Sequence, residues 1–149
     1  MSRRYGATAE LTPVAANDSI WNLIAATTVK PGIYDLILGC ATTPADVGAN
    51  IQISRTTADG TATSVTPLAL DPDDVAALST FKSDYTAEPT YTASTILMSI
   101  SMNQRATFRW VAAPGGELYA NSLAANGLGC RFVATGSTVA WESTIHWVE

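Results

Sequence analysis

Residues 95–111, TILMSISMNQRATFRWV, and residues 139–148, VAWESTIHWV, decide the fold. Both alternate with a period of two. Met98, Ile100 and Met102 fall on one parity, with Leu97, Ser99 and Ser101 on the other. Ala106, Phe108 and Trp110 then oppose Arg105, Thr107 and Arg109. In the second stretch Val139, Trp141, Ile145 and Trp147 oppose Glu142, Thr144 and His146, and Ser143 interrupts the apolar parity. Successive side chains of a strand point to opposite faces, so this is the pattern of half-buried antiparallel strands.

The flanking sequence punctuates further strands. Residues 32–40, GIYDLILGC, form a nearly continuous apolar run that reads as a central strand covered on both faces. Residues 50–57, NIQISRTT, alternate with Ile51 and Ile53 inward, and the following Asp59-Gly60 is a hairpin signature. Lys30-Pro31-Gly32, Pro114-Gly115-Gly116 and residues 135–138 read as turns. Residues 20–29, IWNLIAATTV, fit a helix or a strand, and the Thr-Thr-Val ending favours strand. Residues 3–11 read as a first strand or an extended arm, and residues 1–12 are set apart as a candidate N-terminal arm. Residues 83–93 read as a loop around Glu88-Pro89.

Residues 71–81, DPDDVAALSTF, are the best helix candidate. Asp71 can cap, Pro72 suits the first turn, and Asp73 and Asp74 favour the positive end of the helix dipole. Val75, Leu78 and Phe81 recur at roughly helical spacing. The expectation is an all-β chain with one short helix. It is an antiparallel β-sandwich, the jelly roll being one form of it, in a single domain over residues 1–149.

At 149 residues the chain is long enough to bury a core without disulfide or metal staples. Charged residues are 14%, against a usual ~25%, and the only lysines are Lys30 and Lys82. A surface of Thr, Ser and Ala loses little side-chain entropy when covered, which suits a chain packed against neighbours. The net charge is −5, and the arginines are dispersed apart from Arg3 with Arg4 and Arg105 with Arg109. Nucleic acid is therefore not an expected partner. No stretch approaches the ~20 apolar residues of a membrane span, so no membrane partner is expected. The basic start lacks the apolar run of a secretory signal, which points to the cytosol where the chain is made.

The residues that could carry chemistry are few. Cys40 and Cys130 are far apart and belong to no Cys-x-x-Cys pair. They read as buried thiols, bridged only if the fold sets their strands side by side. His146, the sole histidine, sits on the polar parity of the last strand with no nucleophile or orienting partner nearby in sequence. Asp71, Asp73 and Asp74 lack the alternating spacing and closing glutamate of a calcium loop. Pro114-Gly115-Gly116-Glu117 has no following Lys, Ser or Thr and is no phosphate cradle. Trp110, Trp141, Trp147 and Phe108 fall on parities that can face a core. No catalytic residue, metal, cofactor or small-molecule substrate is expected.

The run PGIYDLILGCATTPADVGANIQISRTTADGTATSVTPLALDPDD, followed by EPTYTAS, NQRATFRWVAAPGGEL and AANGLG, resembles a family of small proteins of tailed bacteriophages. The resemblance spans roughly residues 30–129 and carries no catalytic signature. It implies a head decoration (cement) protein: a β-sandwich, trimeric, sitting on the outer capsid surface of the virion and clamping neighbouring major capsid protein subunits. Arg3 and Arg4 are the expected contact to an acidic neighbour, and Arg105 with Arg109 a second polar contact. The alternative is a tail or collar component, including a carbohydrate-binding module, which should place at least two aromatics on one exposed strand face.

Overall fold

The computed structural model describes residues 2–134 and 138–149, so the expected turn at 135–138 lies outside the described residues apart from Thr138. Among the described residues there are twelve strands and no helix. They are β1 (Arg4–Leu11), β2 (Ser19–Ile24), β3 (Gly32–Cys40), β4 (Gly48–Ala58), β5 (Thr61–Val65), β6 (Leu68–Ala69), β7 (Thr80–Ala87), β8 (Thr90–Asn103), β9 (Phe108–Val111), β10 (Leu118–Tyr119), β11 (Gly127–Phe132) and β12 (Trp141–Val148). All paired strands are antiparallel. The alternating stretches become β8, β9 and β12, as their periodicity requires.

The first sheet has the order β10-β3-β12-β1-β6, with β9 also on β3, and the second has the order β5-β7-β2-β11-β4-β8. Without β10 and the segment β5 to β7, β1-β12-β3-β9 faces β2-β11-β4-β8. The chain changes sheet at every step except β4 to β8. This is the connectivity of an eight-stranded jelly roll. Strands β5, β6 and β7 are an insertion between β4 and β8 that widens both sheets.

The inner faces meet through aromatic side chains. Trp21, Trp141, Trp147, Tyr5, Phe81 and Phe132 are all fully buried. Tyr5, Trp147, Phe81 and Trp21 form a row with successive ring centroids 6.0, 6.2 and 6.0 Å apart. Ser143 breaks the apolar parity of β12 for a reason: its Oγ accepts the Trp21 indole N–H across the core at 2.8 Å. A buried indole without such an acceptor would be destabilising.

Four expectations change. The helix over 71–81 does not form. Asp74 N–H bonds the Asp71 carbonyl at 3.0 Å, closing one turn. The amides of Leu78 and Ser79 instead donate to the Glu149 carboxylate, each at 3.0 Å. Phe81 is a core residue of β7. A two- or three-turn helix cannot repay its nucleation against these tertiary bonds. Residues 83–93 are not a loop, since they span the end of β7 and the start of β8. Residues 4–11 are not an arm, because β1 lies between β12 and β6. Finally, β3 is covered by the second sheet on its inner face only, and its outer face carries Asp35.

Cys40 lies in β3 and Cys130 in β11, in different sheets, and both thiols are free. Burial pushes the Cys130 thiol pKa well up.

Candidate functional site

The outer face of the first sheet gathers most of the chain's unusual side chains. Its geometry starts from a bulge. Across β3 and β12, His146 pairs with Asp35 but Trp147 pairs with Ile33, so Tyr34 is an extra residue. Ile33 and Trp147 stay in the core at 0% exposure, while Asp35 meets His146 on the outside. Bulges re-aim side chains in this way.

Asp35 is only 5% exposed although no second layer covers it. The Arg109 guanidinium closes over it in a bidentate pair, Nε to Oδ1 at 3.1 Å and Nη2 to Oδ2 at 2.8 Å. His146 Nδ1 lies 3.4 Å from the same Oδ2. The bonds from Arg109 outweigh the effect of burial, His146 adds to them, and together they hold the Asp35 carboxyl below its usual range. The Tyr34 ring packs on the His146 ring at 6.1 Å, and the Arg4 guanidinium lies 5.5 Å from the Tyr34 centroid. Gly6, opposite His146 in β1, makes room for the imidazole: a Cβ there would sit 2.8 Å from His146 Cδ2. Arg4, Tyr34, His146, Asp35 and Arg109 thus form one chain of contacts running across β1, β12, β3 and β9.

Apolar side chains flank this ladder. Leu68 and Leu70 of the insertion are 69% and 49% exposed, and Val111, paired with Asp35, is 56% exposed. A furrow of about 410 Å³ runs between Leu68 and Leu70 and the sheet, lined also by Gly6, Thr8, Thr144 and His146. Its floor is tied by the Thr8–Thr144 hydroxyl bond of 2.8 Å. Among the described residues the face offers the Arg4 guanidinium over Tyr34, a neutralised Asp35–Arg109 pair and exposed aliphatic surface. His146 meets Asp35, but among the described residues no hydroxyl or thiol is hydrogen-bonded to the imidazole.

Of the four arginines singled out in the sequence, the structure brings Arg4 and Arg109 into this network. Arg3 extends the same ladder, its backbone bonding Glu149 in both directions at 2.9 and 3.0 Å, and its side chain reaches Asp74 at 3.7 Å. Arg105 sits apart, exposed in the β8–β9 turn near the 41–47 loop. The sequence reading missed Tyr34 and Asp35. A lone aspartate inside the apolar run GIYDLILGC was the available signal.

The second sheet carries a smaller polar cluster on its outer face. Tyr91 OH bonds Ser19 Oγ at 2.7 Å, Arg131 lies 4.2 Å from the Tyr91 centroid, and Glu88 accepts the Ser19 N–H at 3.0 Å. Gly129 leaves the space Tyr91 fills. Three of the half-buried tyrosines are engaged, Tyr34 by His146 and Arg4, Tyr119 by Gly32 and Lys30, and Tyr91 by Ser19 and Arg131, while the Tyr85 hydroxyl is buried with no hydrogen-bond partner among the described residues. Asp71 Oδ1 accepts the Asp73 N–H at 3.1 Å. Among the described residues no three His, Cys, Asp or Glu side chains are grouped to hold a metal ion.

The fold and this face define a jelly-roll β-sandwich with a structured polar and apolar outer surface. No protein-family model, curated protein or solved structure matches this chain.

Proposed function

We propose that this chain is a virion structural protein that decorates a tailed-bacteriophage capsid and stabilises it by binding over major capsid protein subunits. It acts as a symmetric homo-oligomer, a trimer by the resemblance of residues 30–129, with no cofactor. The observation that supports this reading is the outer face of the first sheet, where Arg4 and the Asp35–Arg109 pair are held beside exposed Leu68, Leu70 and Val111. Such a face is built for a protein surface: the aliphatic side chains supply affinity and the arginines set register. Exposed ion pairs contribute only about 0–1 kcal/mol each, so the apolar contacts, repeated by symmetry, must dominate. A protein that binds the assembled lattice better than its parts stabilises it by mass action.

The test is made on the particle. Heads lacking the protein should assemble but rupture at a lower temperature, and adding the purified chain should restore them. The Arg3→Ala/Arg4→Ala variant should bind more weakly and with less salt sensitivity while staying folded. Equal heat stability of heads with and without the protein, or its location on the tail, would sink the reading in favour of the tail or collar alternative.

A further inference from the structure

We propose that β8 is a docking edge for a second copy of this chain, the two β8 strands pairing antiparallel across a two-fold axis centred on Ile100. This inference concerns a different part of the molecule from the capsid-facing sheet and does not rest on that reading.

The sheets have four edges, and three are short. In the first sheet they are β6, of 2 residues, and β9 with β10, of 4 and 2 residues. In the second sheet β5 has 5 residues. The remaining edge, β8, has 14 residues, and among the described residues no strand pairs its outer side. Edge strands are usually protected by being short, by charged side chains, or by proline. TYTASTILMSISMN contains neither charge nor proline. Its first half is irregular, with Ser94 at φ 59° and register shifts against β4. From Met98 to Asn103 the pairing to β4 is regular. The long straight part of this edge is therefore the unprotected part.

The sequence of that part names the occupant. Met98-Ser99-Ile100-Ser101-Met102 reads the same in both directions. Antiparallel pairing about Ile100 sets Ile100 against Ile100 of the second copy, Met98 against Met102, and Ser99 against Ser101. Parity is preserved, so the apolar row meets an apolar row and the serines meet serines, as register in a half-buried sheet demands. The core row is also unfinished within one chain. Ile51 and Ile53 of β4 are fully buried, whereas Met98 and Met102 of β8 are only partly buried. In this arrangement the second copy's Leu97 comes opposite Asn103, beside a depression of about 530 Å³ lined by Gly48, Ala49, Asn50, Ser101, Met102 and Asn103. The contact is isologous: alone it closes as a dimer, and combined with a three-fold contact elsewhere on the chain it joins two trimers in D3 symmetry.

The experiment uses charge pairs that read the register. Ser99 and Ser101 are exposed, so substitutions there leave the core alone. The Ser99→Lys/Ser101→Lys variant opposes like charges at both pairs. The Ser99→Lys/Ser101→Glu variant opposes unlike charges at both. Sedimentation velocity over a concentration series should show the purified wild-type chain associating through this contact. The Lys/Lys variant should weaken that association by about tenfold, and the Lys/Glu variant should restore it. Circular dichroism and melting temperature should be alike for all three. Hydrogen exchange of the amides in residues 98–102 should slow as the wild type associates. A wild-type chain that stays monomeric, or equal weakening by both variants, overturns the proposal. So does a chain whose β8 amides are protected only when an extended segment of another protein is added.

Discussion

Replacing Trp147 by alanine is the sharpest probe of the core. The indole is fully buried, stacks on Phe81 at 6.2 Å and meets Tyr5 at 6.0 Å. Its N–H donates to Ser79 Oγ at 3.0 Å and Glu149 Oε1 at 3.2 Å. Truncation removes the whole ring from between two sheets whose backbones are fixed by ladders on both sides, so the cavity cannot collapse. Large aromatic-to-alanine changes of this kind cost about 3–5 kcal/mol. No orphan penalty is added, because Ser79 and Glu149 keep their bond to each other and Glu149 keeps the Leu78 and Ser79 amides. At about 2–4 °C per kcal/mol for a chain of this size, the melting temperature should fall by roughly 6–20 °C. Trp147→Phe retains the ring contacts and should lose less. Urea unfolding followed by far-ultraviolet circular dichroism measures both. A loss below about 1 kcal/mol for the alanine variant, with an unchanged urea slope, would refute the buried-anchor reasoning.

Two further outcomes follow from the sheets. The folded Asp35 carboxyl titrates below its ordinary value of 3.8, so its stabilising contribution is full above that value and is lost as pH falls through the folded one. Arg109→Ala raises the folded value; the variant should be less stable at neutral pH, and the gap to wild type should close in acid, as read from urea midpoints followed downward in pH. Gly127 and Gly129 lie under close neighbours, a Cβ meeting the Leu23 backbone oxygen at 2.5 Å in the first and the Tyr91 hydroxyl at 2.6 Å in the second. Both alanine variants should lose about 1–3 kcal/mol, Gly127→Ala more because backbone cannot swing aside, and thermal melts that reverse this order would count against it.

The strands were legible because alternation is a local property. Met98, Ile100 and Met102 face inward as their spacing says, and Trp141 and Trp147 lie in the core. The order of the strands was not legible, since nothing in β1 names β12 as its neighbour 136 residues away at Thr8 and Thr144. The same limit hid the contact face. Arg4 and Arg109 stood out as charges, but the groups that tie them together depend on a bulge at Tyr34 and on β12 lying between β1 and β3. The failed helix has a similar cause: the helical spacing of Val75, Leu78 and Phe81 was real, but Glu149 draws off the Leu78 and Ser79 amides.

In the first sheet β1 and β3 are not neighbours, and β12 fills the space between them. During synthesis, at roughly 5–20 residues per second, the earlier strands are made while that slot is still empty. Until Trp141–Val148 emerges, β1 and β3 present two open backbone edges to each other and the inner faces of Tyr5, Leu36 and Leu38 lack their partners. Pairings of such long sequence separation form in milliseconds to seconds rather than microseconds. Maturation of this sandwich therefore turns on one insertion made after its neighbours, and the nascent protein is most exposed to mispairing just before Trp141–Val148 arrives.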